Sequence, residues 1–175
     1  MKFKQFKKRF QKSPVIHYPH RIIDTPLVSI CVQTYEHEPF IHKCIDGILM
    51  QKFDFPYELI IGEDDSNDKT RQICKDYADR YPNIIRLFLH NRDNNINVSG
   101  KPTGLFNFMY NLYSARGEYI AFCDGDDYWT DPGKLKEQVG FLRTNSQYAI
   151  HYHHCLTLED ETIHDNDIIR RKDSC

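Results

Sequence analysis

Apolar residues along the chain follow two alternating spacings, which predict an alternation of strands and helices. Short runs rich in β-branched residues predict strands, and stripes at intervals of three and four predict helices. The predicted strands cover 27–32, 57–62, 84–90, 119–123 and 148–155. The predicted helices cover 39–49, 68–81, 105–115 and 134–143. Because parallel strands need crossover connections, this order predicts a three-layer α/β fold with a mostly parallel central sheet.

The length of 175 residues is typical of one globular domain. Pro14, Pro19 and Pro26 disfavour a continuous element. We therefore expect a basic segment and linker over 1–26 and a domain over 27–175. Turn-forming residues predict a polar loop over 91–103. No apolar run reaches the roughly 18 residues of a membrane-spanning helix.

Positive charge is concentrated at the N-terminus. The chain has 23 Lys and Arg against 25 Asp and Glu, a formal net charge of −2, so it has no overall attraction for nucleic acid. Six basic residues and no acid occur in the first twelve positions: Lys2, Lys4, Lys7, Lys8, Arg9 and Lys12. Phe3, Phe6 and Phe10 would share one face of a helix there. Residues 1–12 are therefore either a foot on an anionic membrane or a frayed terminus.

The six cysteines form no Cys-x-x-Cys pair, and no secretory signal precedes them. We interpret them as reduced thiols, with Cys31, Cys44 and Cys123 filling the core. The expected location is the cytoplasm, either free or at the inner face of the membrane.

Acidic residues cluster after two of the predicted strands. One cluster is Asp124-Gly125-Asp126-Asp127, and the other covers 63–68. Carboxylates this close repel each other unless they share a cation, and oxygen ligands select Mg²⁺ or Mn²⁺. Such an ion keeps positions for a diphosphate. The alternative is that these are solvated turns whose residues cap the following helices.

Three blocks resemble the nucleotide-sugar glycosyltransferases of family two, which have the Rossmann-like GT-A fold. They are the strand and turn over 28–36, the acidic block over 62–70, and the strand over 117–129, which is similar to the one that ends in the family's Asp-x-Asp metal motif. The likeness extends over about residues 27 to 145.

The resemblance implies functional residues in each block. The implied nucleotide-binding residues are Gln33, Thr34, Tyr35, Glu63, Asp64, Asn107 and Asp124. Tyr35 would flank the base, while Glu63 and Asp64 would contact the uracil or the ribose. Asp124 and Asp126 would hold Mn²⁺ or Mg²⁺. The sequence departs from the family pattern at Glu36 for Asn, Glu63 for Asp and Asp65 for Gly, and an Ala-Arg pair before Asn107 is absent.

The implied reaction transfers a sugar, with inversion, from a UDP-sugar to a hydroxyl of a carbohydrate or glycolipid acceptor, in polysaccharide or glycoconjugate synthesis. The family's catalytic base is an Asp well downstream of the metal motif, and we assign none here. The chain is then a truncated piece or a non-catalytic nucleotide-sugar binding module. A glycoside hydrolase with paired carboxylates is a further alternative, and it would need neither metal nor nucleotide.

Overall fold

The computed structural model describes residues 1–22, 25–153, 155–159 and 162–164. The chain divides into two compact units, Met1–Leu135 and Lys136–Cys175, which are described separately. Within the described residues, no helix combines the length and the apolar character that crossing a membrane requires.

The first unit contains most of the predicted strands and helices. Its helices are α1 (Phe3–Phe10), α2 (Ile41–Leu49), α3 (Thr70–Arg80) and α4 (Leu105–Ser114), and α5 (Lys134–Thr144) begins at its end. Its strands are β1 (Ile16–His17), β2 (Val28–Thr34), β3 (Tyr57–Glu63), β4 (Ile85–Leu89), β5 (Ile96–Val98), β6 (Lys101–Thr103) and β7 (Tyr119–Asp124).

The central sheet has five strands in the order β1-β4-β3-β2-β7. Strands β2, β3, β4 and β7 are parallel, and β1 is antiparallel to β4. The predicted α/β fold with a mostly parallel sheet is confirmed. In this register Thr34 pairs with Glu63 and Gln33 with Asp124, so the acidic turns after β3 and β7 lie at the same edge of the sheet, on either side of β2.

Helices cover both faces of the sheet. Cys123 lies against Cys44 of α2, with the two sulfur atoms 3.8 Å apart. The preceding strand residue, Phe122, stacks on Phe108 of α4 with ring centroids 5.2 Å apart. Because consecutive strand residues point to opposite faces, α2 and α4 belong to different layers. The three-layer prediction is therefore confirmed, and the buried thiols of Cys44 and Cys123 fill the core as expected.

The N-terminal segment differs from its prediction, because it packs on the domain. Phe6 is only 1% exposed, and its ring lies 5.2 Å from that of Phe106. Phe3 stacks on Tyr113 at 5.3 Å. Strand β1, from the expected linker, pairs with the edge strand β4. The helix α1 and the strand β1 thus pack on the domain although they precede residue 27. The frayed-terminus interpretation is therefore wrong, and the aromatic face of α1 is not available for insertion into a membrane.

The expected loop over 91–103 contains more structure than predicted. A 3-10 turn (Arg92–Asn94) precedes a hairpin of β5 and β6, in which Val98 pairs with Lys101. The two connecting residues, Ser99 and Gly100, both have positive φ, at 51° and 78°. That is the backbone of a two-residue hairpin turn, and the Ser-Gly pair was its only local signal.

The predicted strand over 148–155 is wrong within the described residues. Residues 148–153 form no strand, and residue 154 lies outside the described part of the chain. Tyr148 and His151 pack instead on Phe141 of α5, with ring centroids 5.6 and 4.9 Å from it. A hairpin of β8 (Thr157–Glu159) and β9 (Thr162–His164) follows.

Candidate functional site

A cavity of about 340 Å³ opens at the carboxyl ends of β2, β3 and β7. Ligands of open α/β sheets bind at this edge. Seven of the eight sequence-predicted site residues line it: Gln33, Thr34, Tyr35, Asp64, Asn107, Asp124 and Asp126. Glu63 is the exception. The cavity is also lined by His37, Gly104 and Phe108, which the sequence analysis did not identify.

Several buried polar atoms around this cavity have no hydrogen-bond partner within the described residues. They are Gln33 Oε1, Thr34 Oγ1, His37 Nδ1 and Asn107 Oδ1. An unsatisfied buried polar atom costs about 1–3 kcal/mol. The cavity wall can therefore gain free energy by binding a polar ligand.

Two acids of the turn after β7, Asp124 and Asp126, carry negative charge without a Lys or Arg partner among the described residues. In the described residues, no Lys or Arg forms an ion pair with Asp124 or Asp126, and the nearest basic group is His37 Nε2, 3.8 Å from Asp126 Oδ2. The side-chain amide of Gln33 donates to Asp124 Oδ1. Burial raises the pKa of Asp124, and the charges of Asp126 and Asp127 raise it further. This arrangement favours a cation.

The two carboxylates fit a divalent cation only as an incomplete ligand set. Asp124 and Asp126 supply the oxygen atoms that Mg²⁺ and Mn²⁺ prefer. Among the residues that the structure describes, no group of three His, Cys, Asp or Glu side chains is arranged to hold a metal. An ion at Asp124 and Asp126 would therefore complete its coordination with water or with ligand oxygens.

Gly125 allows the turn after β2 to approach the two acids. A Cβ atom at this position would lie 2.6 Å from Thr34 Oγ1 and 2.8 Å from His37 Nδ1. Only glycine leaves room for both side chains, so the residue between the two acids is set by packing. His37 was missed because nothing in its local sequence shows that it lies next to Asp126.

Glu63 does not occupy the predicted position beside a nucleotide. Its side chain is fully buried, its Oε1 accepts from the Ser66 amide at 2.7 Å, and its Oε2 pairs with Arg71. Arg71 also pairs with Asp65 at 3.1 Å. Glu63 thus holds the turn after β3, and of the acids in this turn only Asp64 lines the cavity.

Asp64 is 2% exposed, and its Oδ2 lies 3.2 Å from Arg92 Nη1. Burial raises the pKa of Asp64 to about 6, with a smaller contribution from the charges of Glu63 and Asp65, while Asn95 and Arg92 oppose the rise. Asp64 is therefore a buried acceptor whose charge is only partly compensated.

Arg92 also covers the ring of Tyr35, with its guanidinium carbon 3.6 Å from the ring centroid. The sequence analysis placed a base against Tyr35, and the structure places Arg92 on one face of that ring. A nucleobase would use the other face of Tyr35 or displace Arg92. Arg92 was not identified because it lies in the expected loop.

Two departures from the family pattern occupy left-handed backbone positions. Glu36, at the position of the family's Asn, has φ 55°, and Asp65, at the position of its Gly, has φ 64°. Asn and Gly adopt this region more readily than other residues. The Glu36 amide donates to Ser66 Oγ at 3.0 Å, and its side chain accepts from Asn67 at 3.2 Å. These bonds hold Glu36 in its strained conformation.

Asn107, at 1% exposed, is fixed on the opposite wall by the first turn of α4. Its Nδ2 donates to the carbonyl oxygen of Gly62 at 2.7 Å, which leaves its Oδ1 as the free acceptor described above.

Comparisons with known proteins agree on one family. The model described as Glycosyl transferase family 2 matches residues 29–160. The Mycobacterium tuberculosis protein Rv1520 is 39% identical over 140 residues, which are 80% of this chain and 38% of Rv1520. The chain therefore spans well under half the length of this relative.

Two solved structures are similar in fold. One is Staphylococcus aureus TarS 1-349 in complex with UDP-GlcNAc, with 29% identity, a TM-score of 0.50 and coverage of 68% of this chain and 32% of that one. The other is the mannosyltransferase PcManGT from Pyrobaculum calidifontis in complex with GDP-Man and Mn²⁺, with 25% identity, a TM-score of 0.54 and coverage of 80% and 39%.

Proposed function

This chain belongs to glycosyl transferase family 2 and has the GT-A fold, and on that premise we propose that its cavity binds a UDP-sugar together with Mn²⁺ or Mg²⁺. The proposed reaction transfers the sugar to a hydroxyl of a carbohydrate or glycolipid acceptor, with inversion. Since the chain spans 38% of Rv1520, the activity of the whole protein is part of the proposal. Family membership counts against the glycoside hydrolase alternative.

The distribution of cations around the cavity is the observation that carries this proposal. The acids after β3 have protein partners, since Arg71 pairs with Glu63 and Arg92 with Asp64. Within the described residues, Asp124 and Asp126 have no such Lys or Arg partner. Because adjacent carboxylates repel each other, a divalent ion that also binds a diphosphate would stabilise this turn.

Different residues of the cavity would bind the metal ion and the nucleoside. Asp124 and Asp126 would hold the ion, which when bound supplies charge that offsets the charge growing on a departing diphosphate. Asp64 and the free Oδ1 of Asn107 would accept hydrogen bonds from the base or the ribose. Transfer also needs a group that takes the acceptor's proton, and we assign no residue of this chain to that step.

The choice of UDP rests on TarS, whose complex contains UDP-GlcNAc. PcManGT contains GDP-Man, so the nucleotide is the part of the proposal that a direct measurement should decide. TarS is named a poly(ribitol-phosphate) beta-N-acetylglucosaminyltransferase, which fits an acceptor that belongs to a larger glycoconjugate.

Calorimetric titration of the chain with UDP, GDP and dTDP, with and without Mn²⁺, tests the proposal. We expect UDP to bind most tightly and only with the metal. Asp126→Ala should abolish the metal-dependent binding and leave the melting temperature unchanged or slightly higher, because a repelling charge is removed. The matched control is Asp54→Ala, an exposed acid away from the cavity. UDP affinity that is indifferent to Mn²⁺ and to Asp126→Ala would overturn the proposal.

A non-catalytic nucleotide-sugar binding module is the second candidate, because we assign no described residue as the base. Incubation with UDP-GlcNAc and Mn²⁺ separates the two candidates. Release of UDP supports the transferase, while tight binding without release supports the module.

A further inference from the structure

We infer that the outer face of α1 docks the domain on an anionic membrane surface, through lipid phosphates and without insertion. This surface is separate from the donor cavity. The partner it fits is a bilayer containing acidic phospholipids.

The helix α1 separates its aromatic and basic residues between two faces. Phe6 is buried, while Lys4, Lys8 and Arg9 are exposed. Steps of 100° per residue place Lys4 and Lys8 on the side away from Phe6, whereas Arg9, three residues after Phe6, lies at the edge of the aromatic face. Lys2 and Lys12, which flank the helix, are also exposed, so a basic strip extends along its whole length.

The cations of this strip are not neutralised by the protein. None of the six basic residues before position 13 forms an ion pair with an acid in the described part of the chain. Lys7 and Arg9 instead lie over the rings of Phe3 and Phe10, at 4.7 and 5.1 Å. The first twelve residues carry a charge of +6 and the rest of the chain −8. An anionic surface would therefore attract α1 and repel much of the remaining molecule, which fixes the orientation of docking.

The strip is rigid and convex, and this shape favours a plane over a polymer. The carbonyl oxygen of Met1 accepts from Tyr113 at 2.7 Å, and the amides of Lys12 and Ser13 donate to Asn94 Oδ1 at 2.7 and 2.8 Å. Both ends of α1 are therefore tied to the domain. Proteins that track a flexible polyanion present a positively charged groove, whereas the outer face of a helix contacts a flat array of headgroups.

Docking through α1 would also set the position of the donor cavity. Asn94 belongs to the 3-10 turn that carries Arg92, and Arg92 pairs with Asp64 in the cavity wall. The cavity would thus keep a fixed orientation relative to the bilayer. The benefit of this arrangement for a glycolipid acceptor rests on the proposed function, but the docking itself does not.

Vesicle sedimentation with the 175-residue chain tests the inference. Vesicles of phosphatidylcholine alone are compared with vesicles that also contain phosphatidylglycerol. We expect binding only to the second kind at about 0.1 M salt, and loss of binding at about 1 M, where the Debye length falls to about 3 Å.

Charge variants locate the binding surface. The test variant replaces three outward lysines: Lys4→Gln, Lys8→Gln and Lys12→Gln. The control removes the same charge from three exposed lysines elsewhere: Lys43→Gln, Lys52→Gln and Lys101→Gln. At about 1 kcal/mol per cation near an anionic bilayer, the test variant should bind about a hundredfold more weakly. The control should bind within about twofold of the parent chain, because its lysines lie outside the strip.

Four outcomes would overturn the inference: equal binding to both kinds of vesicle, binding that persists at high salt, equal losses in the two variants, or binding to soluble polyphosphate without binding to vesicles. The comparisons of lipid composition, of salt concentration and of polyphosphate use the parent chain alone, so a folding defect in a variant cannot obscure them. The UDP titration is independent of all these measurements, and its failure would leave this inference standing.

Discussion

Replacing Asp64 by Asn should make the protein more stable at neutral pH and weaken its binding of UDP. Asp64 is 2% exposed, and burial raises its pKa from the ordinary 3.8 to about 6. Ionising this side chain in the folded protein is therefore unfavourable compared with ionising it in the unfolded chain. Asparagine keeps the size of the side chain and an oxygen that can accept from Arg92, and it removes the charge.

The expected stabilisation depends on pH in a direction that follows from linkage. The folded protein holds the Asp64 proton up to about pH 6, while the unfolded chain releases it near the ordinary value. Asp64 therefore destabilises the fold progressively as pH rises through this window. The difference between the two pKa values corresponds to about 3 kcal/mol. Asp64→Asn should be more stable than the parent chain by about this amount at pH 8, and by almost nothing below pH 4.

Urea unfolding of both proteins at several pH values measures this difference directly, because titrations elsewhere in the chain cancel between them. The same samples are titrated with UDP and Mn²⁺ at pH 8, where the variant should bind at least tenfold more weakly, since a charge-assisted hydrogen bond contributes about 1.5–3 kcal/mol. If the difference in the free energy of unfolding between the two proteins is constant from pH 4 to pH 8, then ionisation of Asp64 is not what destabilises the fold, and the reasoning is refuted. Unchanged UDP affinity would refute its role as a charged acceptor.

Two further substitutions test the packing around α4. Gly62→Ala would place a Cβ atom onto Asn107 Oδ1; calorimetry should show weaker UDP binding, and urea unfolding should show a loss of about 1–3 kcal/mol. The control Gly140→Ala, at an exposed position with open space around it and outside the cavity lining, should neither weaken UDP binding nor lower the free energy of unfolding, and equal effects would contradict the geometry. Phe6→Ala should lower the free energy of unfolding, measured in urea, by about 3–5 kcal/mol. The control Phe40→Ala, at a position that is 47% exposed, should lower it by less than about 1 kcal/mol. Similar losses in the two variants would mean that α1 is not part of the domain.

Sequence periodicity was sufficient to predict the four parallel strands of the central sheet and the location of the cavity. Runs such as 27–32 are largely apolar because a parallel sheet buries both faces of its inner strands. The edge strand β7 is less buried, with Ile120 and Phe122 exposed. Polar residues that follow such runs must lie at one edge, so the meeting of Asp64 with Asp124 could be predicted before any coordinates. The same reasoning failed for 148–155, where aromatic residues pack on α5 and no strand forms.

Periodicity also showed that the N-terminal helix has an aromatic face, but it could not show what covers that face. The sequence pattern is equally consistent with burial of Phe3, Phe6 and Phe10 in a membrane and with their burial against a protein surface. The deciding surface is formed by Phe106 and Tyr113, which lie 100 positions after Phe6 and 110 positions after Phe3 along the chain.

The neighbouring acids Glu63 and Asp64 show where local pattern stops being informative. Both end the same strand, and the family pattern assigns both to the nucleotide. Successive strand residues point to opposite sides, so one of them had to turn away from the cavity unless the backbone changed course between them. Arg71, in the first turn of α3, forms the ion pair with the buried Glu63. Arg92, in the 3-10 turn after β4, forms the ion pair with Asp64. Neither arginine carries a local signal of its role. Distant cations therefore decide which of these acids are paired within the protein. Asp124 and Asp126, for which the described residues supply no Lys or Arg partner, are the acids that we propose to bind a ligand ion.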